Sequence, residues 1–374
     1  MRATAVIGAN FGDEGKGLMA DFFAAINPVG TVVVRFNGGA QAGHTVVTPS
    51  GRRHVFHHFG SGSLAGARTF LSRFFIVNPF LWDKEQRELS VSFPRMLVDK
   101  RAMLSTPFDM LINQEVERFR GGQRHGSCGI GINETVERCS GPRATFVGDI
   151  ENPIRFREKL REIADYSVRR LEQLAVSPSD LFFEMLASET LVPTYLDLCE
   201  KFKRAVQLVE DPTSLRDFDR IVFEGAQGLL LDETHRFFPH VTRSRTGIHN
   251  AALLAAEIGL RNVQAVYVTR TYMTRHGAGP FPTERSGMTF EDPTNAPNEW
   301  QGSLRFGELD TKLMAESISN DLLDAGGLNV EPCLAVTCLD QVPSADATAI
   351  ARECGIGLGY SSRGPSRDCV SEIK

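Results

Sequence analysis

The sequence has no run near the ~18 apolar residues that a membrane-spanning helix needs. It opens straight onto a strand-like stretch, Ala3 to Ile7, so no secretory leader is expected. Positive charge is not in excess. The 41 Lys and Arg against 46 Asp and Glu give a formal net charge of −5, which argues against a broad nucleic-acid surface. The seven cysteines form no CxxC pair and no metal-type spacing. An odd, scattered set suits a reducing compartment, so the expected location is the cytoplasm. There is no low-complexity segment and no internal repeat. What is present is 374 residues of ordinary globular composition, 42% hydrophobic and 23% charged, enough to bury a large core.

Against that background the glycine-rich loops stand out. Gly8-Ala9-Asn10-Phe11-Gly12-Asp13-Glu14-Gly15-Lys16-Gly17 follows the first apolar run and precedes a helical stretch from Leu18. A glycine turn between strand and helix presents bare backbone N–H groups at the positive end of a helix, which suits a phosphate. Lys16 adds a point charge for phosphate oxygens. The strict P-loop pattern fails, because Asn10 stands at its first glycine and Gly17 at its magnesium Ser/Thr. Asp13 is the anomaly. A carboxylate among phosphate-binding amides repels phosphate unless it holds a metal or takes a proton, so it reads as a chemical group. A plain tight turn is the competing reading of the same glycines.

The second strand, Thr31 to Phe36, ends in Asn37-Gly38-Gly39-Ala40-Gln41-Ala42-Gly43-His44-Thr45. Two such loops at strand ends fit one crevice of an open α/β sheet. His44 reads as catalytic or phosphate-contacting. Residues 46–47 and 53–58 read as a hairpin, whose His54, His57 and His58 have no ligand partner at metal spacing and read as structural or surface. Helices are expected over 81–94 and 109–120, and a third glycine-rich loop spans Gly121 to Gly131, either phosphate-binding or simply surface. Residues 153–174 carry a 3.6-residue apolar period through Phe156, Leu160, Ile163 and Val168. Helices are expected to continue over 179–208. Further strands are expected at 220–224, 263–269 and 334–339, and a helix at 310–325. The expected architecture is a single large α/β domain over 1–374. Its central, mostly parallel sheet is flanked by helices, the phosphate loop follows the first strand, and a helical insert covers about 153–208.

Taken together these motifs resemble the adenylosuccinate synthetase family from end to end. Its GDEGKG loop is similar to Gly12–Gly17, GGxxAGHT to Gly38–Thr45, and FEGAQG to Phe223–Gly228. PYVT is similar to Pro239–Thr242, TTRVGAGPFPTE to Met273–Glu284, TKLD to Thr337–Asp340, and SxGPxR to Ser362–Arg367. The resemblance implies a ligase that joins aspartate to carbon 6 of a 6-oxopurine nucleotide at the expense of a nucleoside triphosphate. It implies Asp13 as the base at ring N1, with His44 and Lys16 steadying the transferring phosphoryl group. The triphosphate is expected on Gly12, Gly15, Lys16, Gly17, Gly43, His44 and Thr45, with its base on Asp340, Ser362, Gly364 and Pro365. The purine monophosphate is expected on Asp13, Gln41, Ser127, Cys128, Arg138, Gln227, Thr242 and His276. Magnesium is expected on Asp13 and the Gly43 carbonyl, and Arg138 matches a family arginine that crosses a homodimer to the partner's monophosphate.

The departures carry information too. A family loop arginine is Ile130 here, and the aspartate-binding TGRPRR loop shrinks to Gln301–Arg305, leaving Gly302, Ser303 and Arg305 as the expected aspartate contacts. Cys338 replaces a lysine, His276 a valine and Gln41 an asparagine, and the segment from Asp340 to Ser362 is short. These features are similar to a short divergent branch that includes bacteriophage synthetases acting on dGMP to make 2-aminoadenine precursors for phage DNA. That branch implies dGMP or GMP with ATP or dATP. Retained Asp13 and Asp340 fit IMP with GTP instead, since some phage members carry serine at the Asp13 position. Small molecules are thus the expected partners, with no nucleic acid and no membrane. A nucleotide-binding switch without catalysis is the alternative from another class, and retention of Asp13, Lys16 and His44 speaks against it.

Overall fold

The computed structural model describes residues 1–89, 93–121, 129–292, 295 and 303–373. Its centre is a ten-stranded sheet. In chain order the strands are β1 (Arg2–Gly8), β2 (Thr31–Arg35), β3 (Arg68–Leu71), β4 (Leu97–Asp99) and β5 (Gln207–Val209). They continue as β6 (Arg220–Glu224), β7 (Asn262–Arg270), β8 (Asn329–Thr337), β9 (Gly357–Ser362) and β10 (Val370–Glu372). Their spatial order is β10-β9-β8-β7-β1-β6-β2-β3-β4-β5. Neighbours are parallel except β9 and β10, which run antiparallel at the edge.

The apolar runs explain the centre. β1 and β2 are buried on both faces, as strands of a covered parallel sheet must be. Ala3, Ala5 and Ile7 face one layer, with Ile248, Leu254, Met314 and Ile318 from helices His249–Glu257 and Thr311–Leu323. Val6 and Val33 face the other, with Met19 and Phe23 of helix α1 (Lys16–Ala25). A separate core lies in the helical half, where Phe156, Leu160 and Ile163 meet Tyr195, Phe202, Trp82 and Phe108.

The expected helix at 153–174 is found as Pro153–Gln173, and the hairpin as His44–Val47 paired with Arg53–Phe56. The helical reading of 179–208 runs too long. The helices are Asp180–Leu186 and Leu191–Ala205, and the chain then extends into β5 at the sheet edge. Three residues give no alternation to read, which is why β4 and β5 carry no sequence signal. Among the described residues no helix is long and apolar enough to cross a membrane.

The topology decides where the loops go. Those after β1, β2, β6, β7, β8 and β9 all leave the carboxyl ends of neighbouring strands. In an open parallel sheet that edge is where ligands bind.

Candidate active site

Helix α1 begins without a side-chain cap. Its N-cap is Gly15 in a left-handed conformation (φ 94°), and the first turn holds no acidic residue. The first amides are therefore left for a ligand rather than for the chain itself. A side chain at Gly15 would be strained, and its Cβ would lie 3.0 Å from Thr337 Cγ2 at the end of β8. In front of this turn lies a cavity of about 450 Å³, lined by Gly12 to Gly17, Gln41 to Thr45, Val55, His57, Gln227, Arg270, His276 and Asn295. The backbone is held in rare conformations at Asp13 (φ 57°) and Gln227 (φ 64°), strain that the surrounding contacts must sustain.

Asp13 Oδ2 lies 3.1 Å from His276 Nε2, which is also 3.1 Å from Asn295 Oδ1. Burial pushes the Asp13 carboxyl up, but the His276 hydrogen bond and charge, with Arg270 and Lys16, outweigh it and hold the pKa at about 2. Asp13 is therefore ionised throughout the neutral range. His276 moves the opposite way. Burial alone lowers its pKa, and the contact with Asp13 raises it above the ordinary value. Arg270 donates to the Asp13 carbonyl and, at 2.9 Å, to Asp292.

A second histidine lines the same cavity. His44 Nδ1 lies 2.6 Å from Glu224 Oε1, and its Nε2 has no partner among the described residues. Glu224 also accepts from the Ser61 amide at 3.0 Å and from the Ser61 hydroxyl. Burial and then the Arg35 charge lower the His44 pKa to about 4, against the pull of Glu224. The ring is thus neutral with its Nδ1 proton on Glu224. Lys16 Nζ stands 3.7 Å from Glu14 Oε2, and burial pushes the Glu14 pKa up to about 7. Gln41 is half-buried with both amide atoms unpartnered. Among the described residues, His44 Nε2, the Gln41 amide atoms and His276 Nδ1 thus line the cavity without a hydrogen-bond partner.

Asp340 is exposed at the end of β8, and the neighbouring Leu339 N–H donates to Ser362 O at 3.1 Å. That bond sets the turn that carries Asp340 against the end of β9, where the Ser362 hydroxyl donates to Gly364 O at 2.7 Å. Thr337 Oγ1, donating to Glu14 O at 2.8 Å, ties the same strand end to the phosphate loop.

A family model described as adenylosuccinate synthetase matches residues 5–352. The chain belongs to the adenylosuccinate synthetase family. The adenylosuccinate synthetase of Xylella fastidiosa (strain 9a5c) is 34% identical over 290 residues, covering 76% of this chain and 65% of that protein. That of Buchnera aphidicola subsp. Schizaphis graminum is 31% identical over 290 residues, covering 75% and 64%. The chain thus covers about 65% of the length of these curated relatives. The fold is that of fully ligated adenylosuccinate synthetase from Plasmodium falciparum, with TM-score 0.78 and 17% identity over all of both chains. It is also that of cyanophage S-2L succinoaminodeoxyadenylate synthetase bound to dGMP and dATP, with TM-score 0.66 and 18% identity over 99% of this chain and 95% of that one.

Two residues expected at an adenylosuccinate synthetase site are engaged elsewhere. Arg138 does not reach outward. Its Nε and Nη2 each lie 2.8 Å from an oxygen of Asp109, and its other N–H groups go to Arg143 O, Thr145 Oγ1 and Leu104 O. All five donors are used inside the chain, and the side chain is fully buried. Arg305, expected on the substrate aspartate, pairs with Glu284 and donates to Gly277 O and Gly279 O at 3.1 and 3.0 Å. It staples a loop to strand Arg305–Glu308 rather than standing open. Ser303 is exposed, and Ser127, Cys128 and Gly302 lie outside the described residues. Thr242 is not among the cavity-lining residues, and its N–H goes to Leu231 O at 2.9 Å. His54 and His58 do have a carboxylate, Glu85, at 3.9 and 3.4 Å. Their structural reading holds, because Glu85 spends its oxygens on the backbone amides of His57, His58 and Phe59.

Sequence reasoning left out Glu224, Arg270 and Asn295 as site residues. Glu224 was visible inside the FEGAQG motif, where a charged residue ends an apolar strand. Arg270 and Asn295 gave no local signal, since Arg270 reaches the Asp13 carbonyl and Asn295 reaches His276 only through the fold.

Proposed function

We propose that this protein is a ligase joining L-aspartate to carbon 6 of a 6-oxopurine nucleoside monophosphate, with hydrolysis of a nucleoside triphosphate through a 6-phosphoryl intermediate. One observation carries the reading. Asp13 is a carboxylate held ionised, at about pKa 2, in the mouth of an uncapped phosphate loop and in one cavity with Lys16 and His44. A carboxylate there serves a magnesium ion or a proton, and its place beside Lys16 and His44 suits phosphoryl transfer.

In this reading Asp13 accepts the N1 proton, which makes the 6-oxygen anionic and nucleophilic toward the γ-phosphorus. The bond to the β–γ bridging oxygen breaks as the O6–P bond forms. Lys16 and the α1 amides meet the negative charge on the transferring group. The anion favours a proton on His44 Nε2, and Glu224 favours the resulting imidazolium from the other side. The aspartate amine then displaces the 6-phosphate. Magnesium fits this donor set as a partly hydrated ion. Among the described residues no cluster of three or more His, Cys, Asp or Glu forms a protein cage, and magnesium typically takes one or two carboxylates plus substrate phosphates. Asp13 and the Gly43 carbonyl would hold it, and it would neutralise phosphate charge.

The favoured substrates are dGMP or GMP with ATP or dATP, serving 2-aminoadenine nucleotide synthesis. A second reading, IMP with GTP, is supported by Asp340 beside Ser362, since a carboxylate matches the adjacent donors of a guanine base. Steady-state assays with dGMP, GMP and IMP, each with aspartate, magnesium and ATP, dATP or GTP, separate them. Turnover of dGMP or GMP supports the first, turnover of IMP alone the second. Turnover of none removes the ligase reading.

A further inference from the structure

We propose that Arg270 is the positioning residue for Asp13, and that through Tyr272 and Gln341 it ties Asp13 to the turn that carries Asp340. The role rests on Asp13 acting as the base at ring N1, as proposed above, and adds the groups that keep that base in place.

Three side chains hold the phosphate turn by its carbonyls. The Gly12 carbonyl accepts from the Thr274 hydroxyl at 3.2 Å, the Asp13 carbonyl from Arg270 Nε, and the Glu14 carbonyl from the Thr337 hydroxyl at 2.8 Å. In a trans peptide the C=O and the following N–H point opposite ways. Pinning three successive carbonyls therefore also aims the amides of residues 13, 14 and 15. Asp13 is the strained member, with φ at 57°. A non-glycine residue keeps that conformation only where its surroundings impose it. Arg270 supplies the charged bond, from the end of β7, the strand paired with β1.

The guanidinium reaches further. Nη1 donates to the Tyr272 hydroxyl at 3.0 Å and Nη2 to Asp292 Oδ2 at 2.9 Å. Arg270 has only protons to give, so the Tyr272 oxygen accepts and its one proton goes to Gln341 Oε1. Gln341 Nε2 then donates to Glu291 O at 3.1 Å, and the Gln341 amide closes the turn on Cys338 O at 3.1 Å. Asp340, where the triphosphate's base is expected, lies inside that turn. The Tyr272 ring is stacked 3.7 Å from Phe290 at 8°, which fixes its hydroxyl. Neither Tyr272 nor Gln341 lines the cavity that holds Asp13. A change at the Tyr272 hydroxyl thus reaches Asp13 through Arg270, not through the substrate.

The test measures kcat and KM for the monophosphate and the triphosphate in wild type, Tyr272→Phe, Arg270→Lys and Arg270→Met. Arg270→Met should lower kcat by about tenfold to a hundredfold, the scale of loss for a reacting group displaced by ~1 Å, with little change in either KM. Arg270→Lys, which can still donate to the Asp13 carbonyl, should recover part of that loss. Tyr272→Phe keeps the ring on Phe290 and loses the hydroxyl, and should cost kcat about threefold to tenfold. A rise in KM with kcat unchanged would overturn the proposal and make Arg270 a substrate ligand. Tyr272→Phe at the wild-type kcat would overturn it as well. If Arg270→Met does not fold, Arg270→Lys and Tyr272→Phe decide by the same measures. If wild type turns over no monophosphate, it is the ligase reading that fails. Hydrogen exchange read by mass spectrometry then decides the positioning claim. Peptides covering Asp13 to Lys16 should exchange faster in Tyr272→Phe than in wild type, while those of β2 and β6 stay as protected as before. Equal exchange over Asp13 to Lys16, or faster exchange throughout the chain, overturns the claim.

Discussion

Two acid–base pairs, one in each half of the molecule, look alike in the sequence and differ in what they leave undone. Asp109 and Arg138 lie among the helices, with neither side chain exposed. Every guanidinium N–H has a partner, and Asp109 also accepts from the Thr106 amide and hydroxyl at 2.8 and 2.9 Å. Asp13 and His276 lie at the carboxyl edge of the sheet, about a quarter exposed. There the imidazole Nδ1 is unmet and the strained Asp13 backbone faces a cavity. A closed network is a structural device, and an open one marks where a ligand completes the set.

The largest expected effect tests the closed pair. Arg138→Ala leaves Asp109 buried with no cation, and breaking such a pair costs ~3–5 kcal/mol. Urea unfolding should show that loss, while KM for the monophosphate per folded molecule stays unchanged. The opposite result, full stability with weakened monophosphate binding that mixing with a second site mutant restores, would reinstate Arg138 as a residue shared across a homodimer.

Next comes the open side. His44→Ala should lower kcat by ~100-fold, the usual cost of losing a group that meets transition-state charge. Its stability loss should be smaller than that of Arg138→Ala, because Glu224 keeps both Ser61 bonds and the Arg35 charge. An unchanged kcat would remove His44 from the chemistry. Glu224→Gln keeps the shape but weakens the support of the imidazolium. It should cost kcat about tenfold with little change in KM, and an effect confined to KM would assign Glu224 to binding instead.

The same contrast explains what the sequence could say. Apolar runs fixed the central strands, since both faces of β1 and β2 must be buried wherever the chain lies. The glycine loops named Asp13, Lys16, Gln41, His44 and Gln227 as neighbours, because each lies after a strand of one parallel sheet and shares its carboxyl edge, and His276 joins them just past the short antiparallel strand Tyr272–Arg275. Arg138 and Arg305 are engaged within the chain in a way the sequence could not show, for one reason. A guanidinium seen alone advertises a charge, whereas the carboxylates that absorb it, Asp109 and Glu284, become visible only in the fold. Arg270 was silent for the converse reason, since its partner Asp13 lies far away along the chain, and Asn295 joins the site only through His276.

The smallest effect sharpens the comparison with a third kind of buried acid, one held by hydrogen-bond donors with no ion pair of its own. Asp321 accepts from the Ile248 amide and the Tyr267 hydroxyl, both at 2.8 Å. Burial still pushes its pKa up from the ordinary 3.8 to about 7. The folded chain therefore holds this proton up to about pH 7, while the unfolded chain releases it near 3.8. Between those values the native state binds more protons, so stability must fall as pH rises through that window and level off above it. Asp321→Asn removes the titration and keeps a carbonyl acceptor. Melting curves at pH 5 and pH 8 should show the variant losing less stability than wild type over that span, by on the order of 2 kcal/mol. Glu14, also raised to about 7, bends both curves alike, so their difference isolates Asp321. Parallel curves would mean that the two hydrogen bonds hold Asp321 ionised at neutral pH, and that satisfied donors alone can replace the missing cation.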